Sequence, residues 1–188
     1  MTGTPVPSPR QITPTAAELA SLKACAHPAL RWMVLAASEA GLRSGTAYRC
    51  TLADCASGRI EARTKNARLT STPLSPRLTA LLATVPAETP PQTQVVAALN
   101  GGPITQNALK RRWCLFRERA GIRKELRLHD LRRGLARSVY LTTGDLRQAQ
   151  AVLSHSNLTS TLWYLEGALP TVDRESITAA IASQEEQT

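Results

Sequence analysis

His129 and Arg132 stand three residues apart in the run LHDLRRG, a spacing that puts both side chains on one face of a helix. His155 follows in VLSHSNLTSTLWY, and Tyr164 comes nine residues after it. The histidines and the arginine supply donors to oxyanion charge, and the tyrosine adds one hydroxyl nucleophile. Such a set is unusual for a plain core and suits the handling of a phosphate. Two cations join it from the first half of the chain. Arg43 sits just past an apolar helix, at a bend eased by Gly41 and Gly45, and Lys65 sits at the tip of an expected hairpin. Two arginines, a lysine and two histidines would then surround one anionic group, with Tyr164 approaching on a separate helix.

Charge points the same way. The 188 residues carry a formal charge of +9, and the excess is concentrated between Arg10 and Leu165, where 22 basic residues face 9 acidic ones. Nineteen of the 23 basic residues are arginine, whose planar five-donor fork matches phosphate better than an ammonium does. A polyanion, and nucleic acid in particular, is the expected partner. Cys25, Cys50, Cys55 and Cys114 lack metal-knuckle spacing, so buried thiols in a reducing compartment are expected, with no metal and no cofactor. No basic stretch leads into an apolar leader segment and no 18-residue apolar run occurs, so a soluble, cytoplasmic chain without membrane association is expected.

The elements that must position these groups can be read in order. Residues 1–12, rich in Pro, Thr and Ser, read as a disordered lead-in. Thr13 reads as an N-cap with Pro14 at the first helical position, and His27-Pro28 ends that helix and opens an apolar one over 29–40. A short helical piece spans 45–52. Residues 59–63 and 68–74 read as two strands around a tip at Lys65-Asn66-Ala67. Ser75-Pro76 starts a helix running to Val85, and 86–104 reads as a Pro- and Gly-rich surface crossing. Thr105 to Ala120 is a helix with an apolar seam through Leu109, Trp113 and Phe116, ended by Gly121. Its cations Lys110, Arg111 and Arg117, together with Arg68, Arg133 and Arg137 elsewhere in the chain, are candidates for contact with DNA. Leu128 opens the next helix, with Leu131, Leu135 and Val139 inward and Arg133 and Arg137 as a basic pair on another face. Gly144-Asp145 starts a helix to Leu153. The expected fold is mainly α with a small antiparallel β-sheet. It comprises one domain over 13–167, then a C-terminal helix and polar tail over 168–188.

These residues together resemble the catalytic domain of the tyrosine site-specific recombinases, or phage integrases. AGLRSG resembles the family's first-arginine motif (Arg43), with Asp54 where an aspartate is usual. RTKNARLTSTPLS resembles the hairpin that carries the catalytic lysine (Lys65), with Arg68 as the basic residue that follows. LHDLRRG resembles the His-x-x-Arg box (His129, Arg132), and VLSHSNLTSTLWY the histidine and tyrosine motifs (His155, Tyr164). The resemblance implies site-specific cleavage and rejoining of DNA through a 3′-phosphotyrosyl link. Arg43 and Arg132 would clamp the phosphate, Lys65 would protonate the leaving 5′-oxygen, and His129 and His155 would assist. It also implies double-stranded DNA and further copies of the chain as partners, with a full-length recombinase or an accessory DNA-binding protein as others.

The sequence departs from the pattern at four points. Thr46 stands where glutamate is usual, Gly134 where threonine is usual, and Ser154 where glycine precedes the histidine. Only a dozen residues precede the catalytic part, so half of the family's DNA clamp is expected to be missing, with weaker affinity and site choice. The segment after the tyrosine is expected either to dock on a neighbouring protomer or to fold back in cis. Two rival functions stay open at this stage: a non-catalytic, regulatory DNA-binding protein derived from a recombinase, and a DNA-relaxing enzyme with similar chemistry.

Overall fold

The computed structural model describes residues 12–63, 69–153 and 165. Eight helices and one hairpin are formed within them. The first helix, α1 (Ala16–Lys23), is capped by Thr15. Its hydroxyl accepts from the Glu18 amide at 3.2 Å, while the Glu18 carboxylate accepts from the Thr15 amide at 2.8 Å. That reciprocal box is why the cap is Thr15 and not the expected Thr13: only Thr15 has a glutamate three residues on. Arg123 holds the same glutamate at 2.7 Å and the Thr13 carbonyl at 2.8 Å, fastening the chain's approach to α1.

The organising element is α2 (Pro28–Ser38), in which every residue but Pro28 and Arg31 is buried. His27 caps it, its Nδ1 accepting from the Leu30 amide. The helix α3 (Ser44–Arg49) follows and is tied back where the Trp32 indole donates to the Ala47 carbonyl at 2.9 Å. A 3-10 turn (Ala53–Cys55) leads to β1 (Arg59–Arg63), which pairs antiparallel with β2 (Leu69–Pro73) in a register that sets Ala62 opposite Thr70. Ile60, Ala62 and Thr70 form the buried face of this hairpin. Ser75 caps α4 (Pro76–Leu82), as its Ser-Pro start implies.

The expected surface crossing at 86–104 is corrected. It contains a helix, α5 (Val95–Asn100), whose Val95 and Val96 are fully buried against α2. Six residues are too few for periodicity to register, and packing on α2 supplies what propensity does not. After it come α6 (Gln106–Arg119), α7 (Leu128–Thr143) and α8 (Leu146–Val152). Thr105 caps α6, and Gly121, in the left-handed region, follows its end. The core forms three connected clusters. The largest lies around α2, α5 and the hairpin, the second joins α1, α2 and α6, and the third packs α7 on α8 with Leu165. Among the described residues no helix is long and apolar enough to cross a membrane.

Candidate active site

Arg132 is the centre of the site. It lies one turn into α7 and is 3% exposed, and its guanidinium donates to the Gly41 carbonyl and, at 2.5 Å, to the Leu153 carbonyl. One buried cation thus joins the bend before Arg43 to the end of α8. The bend itself allows nothing larger than glycine. Gly41 has φ of +64°, and a Cβ there would stand 2.4 Å from the Val152 carbonyl oxygen.

Arg43 is the N-cap of α3 and is exposed. It lines a narrow cleft with Arg132, Thr46, Thr70 and Leu153. Sequence reasoning singled out neither threonine as part of this cleft, although Thr46 had been noted as a departure from the usual glutamate. Both are buried, and the Thr70 hydroxyl donates to the Ala62 carbonyl at 2.9 Å. His129, on the first turn of α7, reaches solvent. Enough protein still surrounds the ring to disfavour its charged form, and the guanidiniums of Arg132, Arg133 and Arg43 add to this against Asp130. Its imidazole is held below the ordinary histidine range. Lys65, Arg68, His155 and Tyr164 lie outside the described residues.

A wider cleft of about 730 Å³ opens beside His129, between α6 and α7, with Trp113 in its floor. Four cations line it: Lys110, Arg117, Lys124 and Arg127. Lys124 and Arg127 were not singled out as DNA-contact candidates from the sequence; the signal was the basic run RKELR just before the His-x-x-Arg box. The Arg117 guanidinium is also structural, donating to the Lys124 carbonyl and, at 2.9 Å, to that of Leu126, which fastens the turn leading into α7. Arg111 is exposed but lies outside this lining, and Arg137 is half-buried.

Arg133 needs correction as a surface contact. It is 8% exposed, and its Nη1 stands 3.8 Å from the Asp130 carboxylate. Asp130 also accepts from the Arg127 amide at 2.8 Å, closing the start of α7. Arg133 is therefore part of the helix's internal scaffold rather than half of an open basic pair with Arg137.

No curated protein matches the sequence. Among solved structures, XerH site-specific recombinase bound to difH substrate superposes with a TM-score of 0.66 at 18% identity, covering 90% of this chain and 53% of that one. A lambda integrase dimer bound to a COC′ core site gives a TM-score of 0.66 at 20% identity, over 88% and 51% of the two chains. XerA recombinase gives 0.66 at 18%, over 96% and 66%. The chain thus spans about half the length of XerH and of the lambda integrase, and at these identities the likeness is one of fold. The profile of the phage integrase family matches residues 12–168. With the mainly helical architecture and its antiparallel hairpin, that match over most of the sequence makes this chain a member of the phage integrase family.

Proposed function

We propose that this chain cleaves and rejoins DNA at specific sites, with Tyr164 as nucleophile and Arg43, Lys65, His129, Arg132 and His155 as its catalytic partners. The observation that carries the reading is the placement of Arg132, which holds Gly41 and Leu153 together and so joins the bend before Arg43 to the chain leading into His155. Family membership and the shared cleft of the two arginines support it.

The Tyr164 oxygen attacks the phosphorus, an O–P bond forms to the 3′ side of the break, and the bond to the 5′-oxygen breaks. Lys65 gives that oxygen its proton. A phenol of ordinary pKa near 10 is a weak nucleophile, so its proton must be managed; His129, neutral near pH 7, can accept it. Arg43 and Arg132 meet the charge growing on the non-bridging oxygens. The bond energy stays in the phosphotyrosine, so the reverse step needs no added energy source. Residues 13–167 act as the catalytic domain, and the segment over 168–188 contributes to assembly on DNA. Lys110, Lys124 and Arg127 hold the DNA backbone along the wider cleft, which positions the duplex without reading its sequence. Incubation with a sequence-randomised library of nicked suicide duplexes tests the proposal: it predicts denaturation-resistant protein–DNA adducts enriched in one sequence, and the absence of any adduct overturns it.

A further inference from the structure

Cys50 and Cys55 are two sulfurs the site does not use, and they face each other. Their Sγ atoms are 3.7 Å apart, and both side chains are buried, at 2% and 7% exposure. Cys50 is the C-cap of α3, the short helix whose N-cap is Arg43. Cys55 ends the 3-10 turn that packs on β1. A cleft of about 390 Å³ lined by Cys50, Arg49, Asp54 and Glu61 opens the Cys50 side of this junction to small solutes, with the Cys55 sulfur directly behind it.

We propose that Cys50 and Cys55 are a redox-reactive dithiol that hydrogen peroxide closes into a reversible disulfide, displacing α3. The hydrogen bond between the sulfurs can be donated by either, so one thiol keeps its proton while the other gives its own up, and the one that gives it up reacts first. Its thiolate attacks one peroxide oxygen, the O–O bond breaks, and hydroxide leaves, giving a sulfenic acid. The second sulfur then attacks the first, the S–O bond breaks, and water departs with the second thiol's proton. Two thiols have lost two electrons and two protons, and one peroxide has become two waters. A disulfide needs about 2.05 Å between sulfurs, so closure shortens the pair by roughly 1.6 Å. The C-cap of α3 cannot follow freely, because the Cys50 carbonyl accepts from the Val95 amide at 2.9 Å and Thr51 bridges to Gln94. The turn that carries Cys55 is held as well, its Leu52 and Ala53 amides donating to the Thr93 and Pro91 carbonyls at 3.0 and 2.7 Å, so the strain is shared with the six-residue helix that starts at Arg43.

The test uses the full chain with the exposed Cys114 replaced (Cys114→Ser), reduced, treated with hydrogen peroxide, then unfolded, alkylated and digested with trypsin. Both sulfurs fall on the tryptic peptide CTLADCASGR. The expected result is that this peptide loses two hydrogens and takes up no alkyl group, that Cys25 alkylates normally, and that dithiothreitol restores both sites. Either single variant, Cys50→Ser or Cys55→Ser, should stop at a dimedone-trappable sulfenic acid on the remaining sulfur. On closure the amides of Thr46, Ala47 and Cys50, bonded within α3 at 2.9 to 3.0 Å, should exchange with solvent at least ten-fold faster. Alkylation of both sulfurs after peroxide overturns the dithiol, and a disulfide that leaves those amides unchanged overturns the displacement of α3.

Discussion

The Nη2 of Arg132 lies 2.5 Å from the Leu153 carbonyl oxygen, across 21 residues of sequence, and its Nη1 donates to Gly41. A buried cation held by two backbone carbonyls fixes where α7, α8 and the bend before Arg43 meet. Arg132→Lys keeps the charge but has no fork to span both carbonyls. The expected outcome is a loss of about 2 to 3 kcal/mol of stability in urea unfolding, from two poorly satisfied buried acceptors. DNA cleavage should fall with it. A variant with unchanged stability would show that the bridge does not hold these elements.

Gly41→Ala tests the same junction from its other side. The left-handed backbone and the 2.4 Å approach to the Val152 carbonyl leave no room for a methyl group, so α8 must move. A cost of roughly 2 kcal/mol or more is expected from the backbone conformation alone. Thermal unfolding should show it, with hydrogen exchange at the C-terminal end of α8 rising in parallel.

Gly134, where threonine is usual in the family, has a local explanation: a Cβ there would lie 2.9 Å from Cδ of Pro14. The segment before α1 crosses α7 at that point. Gly134→Thr should destabilise by about 1 to 3 kcal/mol through overpacking. Pro14→Ala should relieve part of that cost, so a double-mutant cycle is expected to show coupling between the two sites. Additive effects would place the clash elsewhere.

The cleft cations and the buried arginine should separate in their salt dependence. Lys124→Ala and Arg127→Ala each remove one exposed charge beside His129, and each should lower the slope of log K against log salt by about 0.9 for duplex DNA. Arg133→Ala should leave the slope unchanged and lower the unfolding midpoint, because its side chain serves the fold.

Acid should release the approach to α1. The Arg123 guanidinium, with the Thr15 cap, holds the Glu18 carboxyl at about 2 against an ordinary 4.5. A depressed folded-state pKa contributes stability that is present above pH 4.5 and lost as pH falls toward 2. The Tm advantage of the native chain over Glu18→Gln should therefore be constant near neutrality and shrink through that window. An advantage independent of pH would point to the cap geometry alone.

Much of this arrangement is legible in the sequence where a local signal has one reading. His27-Pro28, Ser75-Pro76, and Thr105 with Gly121 each mark a helix boundary, and Arg59–Arg63 forms the expected strand. The Thr13-Pro14 pair reads as the start of α1, but the cap is Thr15, the threonine with Glu18 three residues on. The helix α5 is specified by burial against α2, a tertiary fact that six residues cannot announce. Arg133 looks like a surface charge because it stands four residues before Arg137 as a basic pair; the acid three residues before it, Asp130, is the local sign of its burial. Arg43 and Arg132 share a cleft only because Gly41 and Leu153 meet, a contact set by three-dimensional packing.

The central claim is that Tyr164 becomes covalently joined to DNA. The direct measurement incubates the native chain and Tyr164→Phe with the nicked suicide duplexes selected from the random library, then resolves the products under denaturing conditions after nuclease digestion. The account predicts a denaturation-resistant adduct for the native chain, mapped by mass spectrometry to the peptide containing Tyr164, and none for Tyr164→Phe. An adduct of equal yield from Tyr164→Phe, or one mapped to a different residue, would contradict it.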